Sequence, residues 1–274
     1  MKSLTLPSGH EMPLLGLGTW QLTGIKCREA VKQALALGYR HIDTAWVYDN
    51  HEEVGKAIKE SKLSRDKLFI TSKVWRDNLH YNDVLVQCTQ ALKQLKTDYL
   101  DLYLIHWPNK SIPMQETFEA LHELLQQGKI LNIGVSNFTI AHLENALKLS
   151  KKIAVNQVEF HPYLNQEELL NYCTKNKIKL TAYSPLGRGQ ILSDKTLTAL
   201  AKAHNKSPAQ VCLRWLIQKG LIVIPKASSS HHLKTNMEIF DFKLSAKETK
   251  AIDSIGIKRR FVNPGFNEFD ELLS

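Results

Sequence analysis

The sequence predicts an α/β fold in which eight parallel strands form a closed barrel surrounded by helices. Short apolar, β-branched segments alternate with longer amphipathic segments from near residue 15 to the end of the chain. Such alternation implies parallel strands that are joined by right-handed crossovers. Eight strand–helix units in about 240 residues match the number and size expected of a (β/α)8 TIM barrel. We therefore expect residues 1–274 to form one domain of this type.

The periodicity assigns each unit to a segment of the chain. The predicted strands are 15–18, 41–45, 68–74, 100–106, 132–136, 155–160, 179–184 and 221–225. The predicted helices lie near 24–37, 50–60, 80–96, 113–127, 139–149, 165–176, 194–219 and 229–239, with a break in the seventh at Ser207-Pro208. Helix starts are indicated by Thr139, by Asn165 with Glu168, and by Ser207; helix ends are indicated by Gly38, Gly128 and Gly220.

Two further elements lie outside the eight units. A short hairpin around Ser8-Gly9 is expected to cover one end of the barrel, and 245–255 is expected to form an extra C-terminal helix. The aromatic-rich tail after residue 257 is expected to be a loop. A doubly wound sheet is disfavoured, because Gly16-Leu17-Gly18 lacks the third glycine of a dinucleotide-binding turn and is followed by the bulky Trp20.

Composition limits the functional classes. The chain is 43% hydrophobic and 23% charged, which is typical of a globular protein and excludes disorder, collagen and coiled coil as the main architecture. The sequence has no apolar run near the roughly 18–20 residues that cross a bilayer and no pattern of a signal peptide, so we expect a cytoplasmic protein without a membrane partner. The four widely spaced cysteines are expected to be reduced and buried. The net charge of +9 is spread over the chain, which favours a solvated surface or an anionic cofactor over nucleic acid.

Polar side chains stand at the carboxyl ends of three neighbouring predicted strands, where barrels of this type carry their active sites. Asp43, Lys73 and His106 end the second, third and fourth strands, and Tyr48 follows the second. A buried ammonium needs a partner, so we expect Lys73 to pair with Asp43. We further expect Lys73 to lower the pKa of Tyr48, making the phenol a general acid, while neutral His106 orients the substrate oxygen.

An oxygen that becomes an alkoxide requires a hydride donor, and because side chains supply none, the sequence implies a nicotinamide cofactor. Ser136, Asn137 and Gln157 carry groups suited to hold a carboxamide, and Tyr183 could stack on the pyridine ring. The turn 184–189, which includes Ser184 and Leu186, could wrap a pyrophosphate, and Lys226 with Ser228 precedes a helix N-terminus suited to phosphate.

Several motifs together resemble the aldo-keto reductases over essentially the whole chain. They are GYRHIDTA at 38–45, Tyr48, Lys73, LIHWP at 104–108, IGVSNF at 133–138, YSPLG at 183–187 and IPK at 224–226. The short loops and the segment RFVNP at 260–264 are most similar to the bacterial 2,5-diketo-D-gluconate reductase group, B type. The resemblance implies an NADPH-dependent monomer that reduces aldehydes and ketones, either small dicarbonyls such as methylglyoxal or keto-sugar acids such as 2,5-diketogluconate.

The same resemblance implies individual roles. Lys226 would pair with the 2′-phosphate of NADPH, and a substrate pocket would be formed by Trp20, Val47, Trp75 and Trp107. The chain also departs from the family pattern: it has His51 in place of Glu, Asn132 in place of a basic residue, Ala227 in place of Ser or Thr, and His232 and Thr235 in place of Arg and Glu. Asn236 is kept, so His232 and Asn236 are expected at the adenosine end, with weaker discrimination for the 2′-phosphate.

Two alternatives remain open at this stage. A metal-dependent hydrolase could use Asp43, His106, Glu159 and His161 as ligands for zinc or manganese, although it leaves Tyr48 and Lys73 without a role. A non-catalytic NADPH-binding sensor fits the same fold and the same cofactor residues. It has no evident need for the four residues at the strand ends, so we favour the reductase, which requires no metal.

Overall fold

The structure, a computed structural model, describes residues 2–269 of the chain. The first two strands, β1 (Ser3–Thr5) and β2 (Glu11–Pro13), pair antiparallel and form the expected hairpin. Eight parallel strands follow: β3 (Leu17–Gly18), β4 (His41–Asp43), β5 (Phe69–Val74), β6 (Leu102–Ile105), β7 (Ile133–Ser136), β8 (Ile153–Glu159), β9 (Lys179–Tyr183) and β10 (Ile222–Val223). Their order in the sheet is their order in the sequence.

The sheet closes where its first and last strands meet. The Gly16 amide donates a hydrogen bond to the Val223 carbonyl over 2.9 Å, and Leu15 pairs in parallel with Val223. Three residues further along each chain segment, Gly18 pairs in parallel with Lys226. A Cβ at Gly18 would lie 2.6 Å from the Ile224 carbonyl oxygen. A residue without a side chain therefore lets the two strands approach, and the predicted (β/α)8 barrel is confirmed.

Helices alternate with the strands as predicted. They are α1 (Gly24–Leu37), α2 (His51–Ser61), α3 (Tyr81–Leu95), α4 (Met114–Gln126), α5 (Ile140–Leu149), α6 (Glu167–Lys175), α7 (Lys195–His204), α8 (Pro208–Gln218), α9 (Ser230–Met237) and α10 (Ala246–Asp253). The long seventh segment is split at Ser207-Pro208, and α10 is the expected extra helix. Between residues 2 and 269, none of these helices has both the length and the apolar character needed to span a membrane.

Side-chain caps hold the N-termini of α5, α7, α8, α9 and α10, while the other five helices start without one. Thr139 and Ser207 each form a capping box, and Gly38 ends α1 with a φ of 106°. The predicted cap at Asn165 is wrong, because α6 starts one residue later and Gln166 precedes it without a side-chain cap. Asn165 instead donates a hydrogen bond to Asp253 of α10 over 3.3 Å, a tertiary contact that competes with the local one.

The hairpin closes one end of the barrel. Leu6 and Met12 are buried against the apolar barrel interior, in a cluster whose other members are Phe69, Leu102, Leu104, Ala154, Val155 and Ile222. A larger apolar layer fills the space between strands and helices and includes all four cysteines, which are buried and unpaired with one another as expected. The predicted catalytic residues Asp43, Lys73 and His106 lie at the opposite end, where β4, β5 and β6 terminate.

Candidate active site

A buried ion pair lies at the carboxyl ends of β4 and β5. The Lys73 Nζ atom is 2.6 Å from Asp43 Oδ1 and 2.8 Å from the Thr44 carbonyl oxygen, and the two charged side chains are 0% and 2% exposed. The second carboxylate oxygen of Asp43 accepts a hydrogen bond from Gln157 Nε2 over 2.7 Å. Both charges are thus compensated inside the protein, as expected for groups removed from water. The pair links the predicted catalytic residues to the predicted cofactor residues.

Tyr48 follows β4 in a short turn that a buried amide holds in place. Asn50 donates hydrogen bonds to the carbonyl oxygens of Thr19 and Leu22 over 3.0 and 2.9 Å, and accepts one from the Thr44 hydroxyl over 2.6 Å. The turn brings the Tyr48 ring to the ion pair, with Lys73 Nζ 5.1 Å from the ring centroid. Asn50 was not among the residues predicted for the site, although it directly follows the Tyr48-Asp49 pair.

The predicted effect on the acidity of Tyr48 is wrong in direction. Burial of the phenol is the largest effect and raises its pKa well above the ordinary value, and the negative charge of Asp43 raises it further. The field of Lys73 does not reverse this, because the Asp43 carboxylate lies 2.6 Å from the ammonium and offsets its charge. Tyr48 therefore remains protonated at neutral pH.

His106, directly after β6, faces the same phenol. Its ring lies edge-to-face with Tyr48 at 5.6 Å and with Trp75 at 5.5 Å. Burial, with a smaller contribution from Lys73, holds the pKa of His106 well below its usual range, so the imidazole is neutral. Its Nδ1 atom is buried and has no hydrogen-bond partner among residues 2–269, which favours the tautomer with the proton on Nε2.

Four predicted cofactor residues form one hydrogen-bonded group beside this cluster. Asn137, at a left-handed φ of 62°, donates from Nδ2 to the His106 carbonyl oxygen over 2.9 Å and accepts from the Tyr183 hydroxyl over 2.8 Å. The Ser136 hydroxyl donates to the Gln157 carbonyl oxygen over 2.8 Å. The structure thus brings together Ser136, Asn137, Gln157 and Tyr183 at the ends of β7, β8 and β9.

The remaining cofactor candidates lie along the next two loops. In the turn 184–189, Ser184, Gly187, Arg188 and Gly189 all have positive φ, between 44° and 85°, and the Gly187 and Gly189 amides donate to carbonyl oxygens within the turn. Lys226 and Ser228 are exposed just before α9, whose N-cap is Ser229. His232 is exposed on that helix, whereas Asn236 is buried, and Leu186 packs partly into the core.

The predicted substrate residues surround the mouth, and one aromatic residue joins them. Trp75 and Trp107 are both contacted edge-on by Phe266, at ring distances of 5.6 and 5.5 Å. Val47 and Trp20 are more exposed, and the Arg188 guanidinium lies 4.7 Å from the Trp20 ring. Phe266 was expected only as part of an aromatic tail, because a long-range contact leaves no local pattern in the sequence.

The residues of the metal-hydrolase interpretation do not converge. Within the described part of the chain, no group of three or more His, Cys, Asp or Glu side chains is placed to hold a metal ion. His161 Nε2 is paired with Glu159 Oε1 at 2.9 Å, and the carboxylate also accepts hydrogen bonds from the Phe261 and Val262 amides. Both oxygens of the Glu159 carboxylate are therefore engaged by donors of the chain itself.

Comparison with known proteins identifies a family and agrees with the fold. A family model described as "Aldo/keto reductase family" matches residues 14–257. Glyoxal reductase of Bacillus subtilis (strain 168) is 48% identical over 274 residues, which cover 99% of this chain and 97% of that protein. Aldo-keto reductase family 1 member A1-A of Danio rerio is 40% identical, covering 96% and 92%. The solved structure of MGS-M4, an aldo-keto reductase enzyme from a deep-sea metagenome library, superposes with a TM-score of 0.93 at 41% identity and covers 98% of this chain and 100% of that one.

Proposed function

This chain belongs to the aldo/keto reductase family, and we propose that it is an NADPH-dependent monomer that reduces small aldehydes and ketones to alcohols. One observation carries the proposal. A protonated phenol, a neutral imidazole and a buried ammonium–carboxylate pair meet at one rim of the barrel, next to an amide and hydroxyl group that fits a nicotinamide. A non-catalytic sensor would use only the amide and hydroxyl groups that fit a nicotinamide, and not the phenol, the imidazole or the ion pair.

NADPH, when bound, supplies the hydride that adds to the carbonyl carbon. The residues present fit such a cofactor. Gln157 donates to Asp43 from Nε2, and its Oε1 has no partner among residues 2–269, so it can accept from a carboxamide N–H. Tyr183 would contact the nicotinamide ring, and the turn 184–189 the pyrophosphate. Lys226, Ser228, His232 and Asn236 would hold the adenosine end.

Two side chains act on the substrate oxygen. The Nε2–H of His106 donates a hydrogen bond to it and fixes its direction, and the hydroxyl of Tyr48 donates a second. As negative charge develops on this oxygen, Tyr48 transfers its proton, because an alkoxide is a stronger base than a phenolate. Lys73 then stabilises the phenolate that remains, while Asp43 keeps the ammonium in place. The raised pKa of Tyr48 ensures that the proton is present before the reaction.

We propose two classes of substrate. The relative named glyoxal reductase supports small dicarbonyls such as methylglyoxal, and the net charge of +9 supports anionic keto-sugar acids such as 2,5-diketogluconate. The finer assignment to the 2,5-diketo-D-gluconate reductase B type stays a prediction. The aromatic side chains Trp75 and Trp107 would contact the part of the substrate that carries the carbonyl group.

The test is turnover of methylglyoxal, followed by the absorbance of reduced nicotinamide with NADPH and NADH side by side. Tyr48→Phe removes the proton donor with little change in volume, and we expect kcat to fall by about 10²–10⁴-fold while NADPH affinity is unchanged. Tyr172→Phe, a partly exposed tyrosine on α6, serves as the control. Full turnover by Tyr48→Phe contradicts the role of the phenol, and NADPH binding without turnover by the wild type favours the sensor.

A further inference from the structure

Glu159 is a buried carboxylate at the end of β8 that the proposed chemistry does not use. Its side chain is 0% exposed and accepts hydrogen bonds from the backbone amides of Phe261 and Val262 over 2.8 and 2.9 Å. His161 Nε2 lies 2.9 Å from the same carboxylate, and a guanidinium nitrogen of Arg260 lies 4.0 Å from it. Burial alone would raise the pKa of Glu159, but these hydrogen bonds outweigh it and lower the pKa, so the group is ionised.

The tail, residues 259–269, is held from this carboxylate. The Arg259 amide donates to the Tyr163 carbonyl oxygen over 2.7 Å, two residues before the first of the two amides that contact Glu159. At the other end, the Glu268 carboxylate accepts from the Lys110 amide over 2.9 Å and contacts His142 Nε2 at 3.2 Å. The tail is therefore attached to the barrel near both ends.

Phe266 lies between these two attachments, over the mouth of the barrel. It contacts Trp75 and Trp107 with interplanar angles of 88° in both pairs, and the Arg76 guanidinium lies 4.7 Å from its ring. A free tail would have to be ordered each time this ring formed part of a binding surface, at a cost in conformational entropy. Because the tail is attached to Glu159, its conformational entropy is lost during folding and is not lost again when a substrate binds.

We propose that Glu159 is a positioning residue that holds the tail so that Phe266 forms a fixed outer wall of the substrate site, selecting for carbonyl compounds with an aryl substituent. The wall offers a ring edge and two indole surfaces, which suit a flat apolar group. We expect a small dicarbonyl, which has no such group, to depend less on this wall than an aryl carbonyl compound. This inference rests on the proposed function for its substrates, whereas the attachment itself is independent of any reaction.

The direct test is Glu159→Gln, with benzaldehyde and methylglyoxal as substrates. Glutamine keeps the volume, but one carboxylate oxygen becomes an NH₂ group that faces a backbone N–H and cannot accept from it. We expect the KM for benzaldehyde to rise about tenfold, while kcat and KM for methylglyoxal change by less than about twofold. Glu168→Gln, an exposed position on α6, is the matched control. Equal changes in KM for both substrates would overturn the proposal.

A double-mutant cycle identifies the residue through which Glu159 acts. Phe266→Ala should raise the KM for benzaldehyde by itself, and adding Glu159→Gln should then have little further effect, since both changes remove the same wall. Additive effects of the two substitutions would show that Glu159 acts by another route and would overturn the proposal.

Trypsin cleavage after Arg259 and Arg260 tests the attachment without any substrate. We expect Glu159→Gln to be cut at these sites at least several-fold faster than the wild type, at a temperature well below the unfolding midpoint of either protein, so that cleavage reports the tail and not global unfolding. Val262→Pro removes the backbone N–H that donates to Glu159 while leaving the Glu159 side chain unchanged. If Glu159→Gln does not fold, the cleavage rate of Val262→Pro tests the attachment instead. If the wild type reduces neither substrate, the proposed function and the aryl selectivity both fail, while faster cleavage still supports the attachment. Unchanged cleavage in both variants overturns it.

Discussion

Replacing Lys73 by methionine should destabilise the protein far more than replacing an exposed lysine. The side chain is fully buried, and its ammonium lies 2.6 Å from Asp43, which is 2% exposed. At that distance and an effective dielectric constant of about 20, Coulomb attraction is about 6 kcal/mol, much of it offset by the cost of removing both ions from water. Lys73→Met keeps the desolvation cost of Asp43 and loses the attraction.

The expected loss is about 3–5 kcal/mol of unfolding free energy, the usual result when one partner of a buried pair is removed. For a protein of this size this corresponds to a fall of about 6–20 °C in the midpoint of thermal unfolding. Urea denaturation monitored by circular dichroism measures the free energy, and differential scanning calorimetry measures the midpoint. Lys67→Met, an exposed lysine 3.6 Å from Asp66, should cost no more than about 1 kcal/mol.

A second variant separates stability from chemistry. Adding Asp43→Asn to Lys73→Met removes the uncompensated charge, and we expect it to restore most of the lost stability. Turnover should stay low in the double variant, because the group that stabilises the Tyr48 phenolate is still missing. A loss of less than about 1 kcal/mol in Lys73→Met, or no recovery in the double variant, would refute the argument that an unpaired Asp43 causes the damage.

Two further predictions concern acid stability and the closure of the barrel. Burial lowers the pKa of His51 to about 4 in the folded protein, below its ordinary value of 6.5. As the pH falls below about 6.5, the unfolded chain therefore binds a proton at His51 that the folded protein does not bind. At pH 5 this difference should lower the free energy of unfolding by about 2 kcal/mol. Urea denaturation at pH 7.5 and pH 5 should show a smaller loss in His51→Gln, and an identical loss would contradict the assignment. Gly18→Ala places a Cβ 2.6 Å from the Ile224 carbonyl oxygen and should cost about 1–3 kcal/mol, whereas Gly256→Ala, with no atom within 4 Å, should cost little. Equal thermal midpoints for the two alanine variants would show that the strands separate easily at this point.

Much of the fold could be predicted because its signals are local. The alternation of short apolar, β-branched segments with longer amphipathic ones marks each strand and helix, and Gly38 ends one helix and Ser207-Pro208 begins another through contacts within a few residues. The errors occur where a distant residue competes for the same group. Asn165 had the right residue type for a cap, but Asp253 accepts its amide hydrogen bond instead.

The candidate site divides in the same way. Asp43, Lys73 and His106 could be placed because each stands at the end of a predicted strand, and parallel strands bring such positions to one rim. The pKa of Tyr48 could not be predicted, since its direction depends on how deeply the phenol is buried and how close Asp43 lies to Lys73. Both quantities are distances between residues from different strands.

The amino-acid order alone determined the eight-unit alternation and the residue types at the strand ends, because hydrophobic period and capping act over a few neighbouring residues. Only the tertiary structure decided the use of Glu159 and Phe266. Glu159 accepts from an amide 102 residues further along the chain, and Phe266 contacts indoles from two different strand ends. Contacts over such separations arise from the closure of the barrel, which brings distant segments within hydrogen-bonding range.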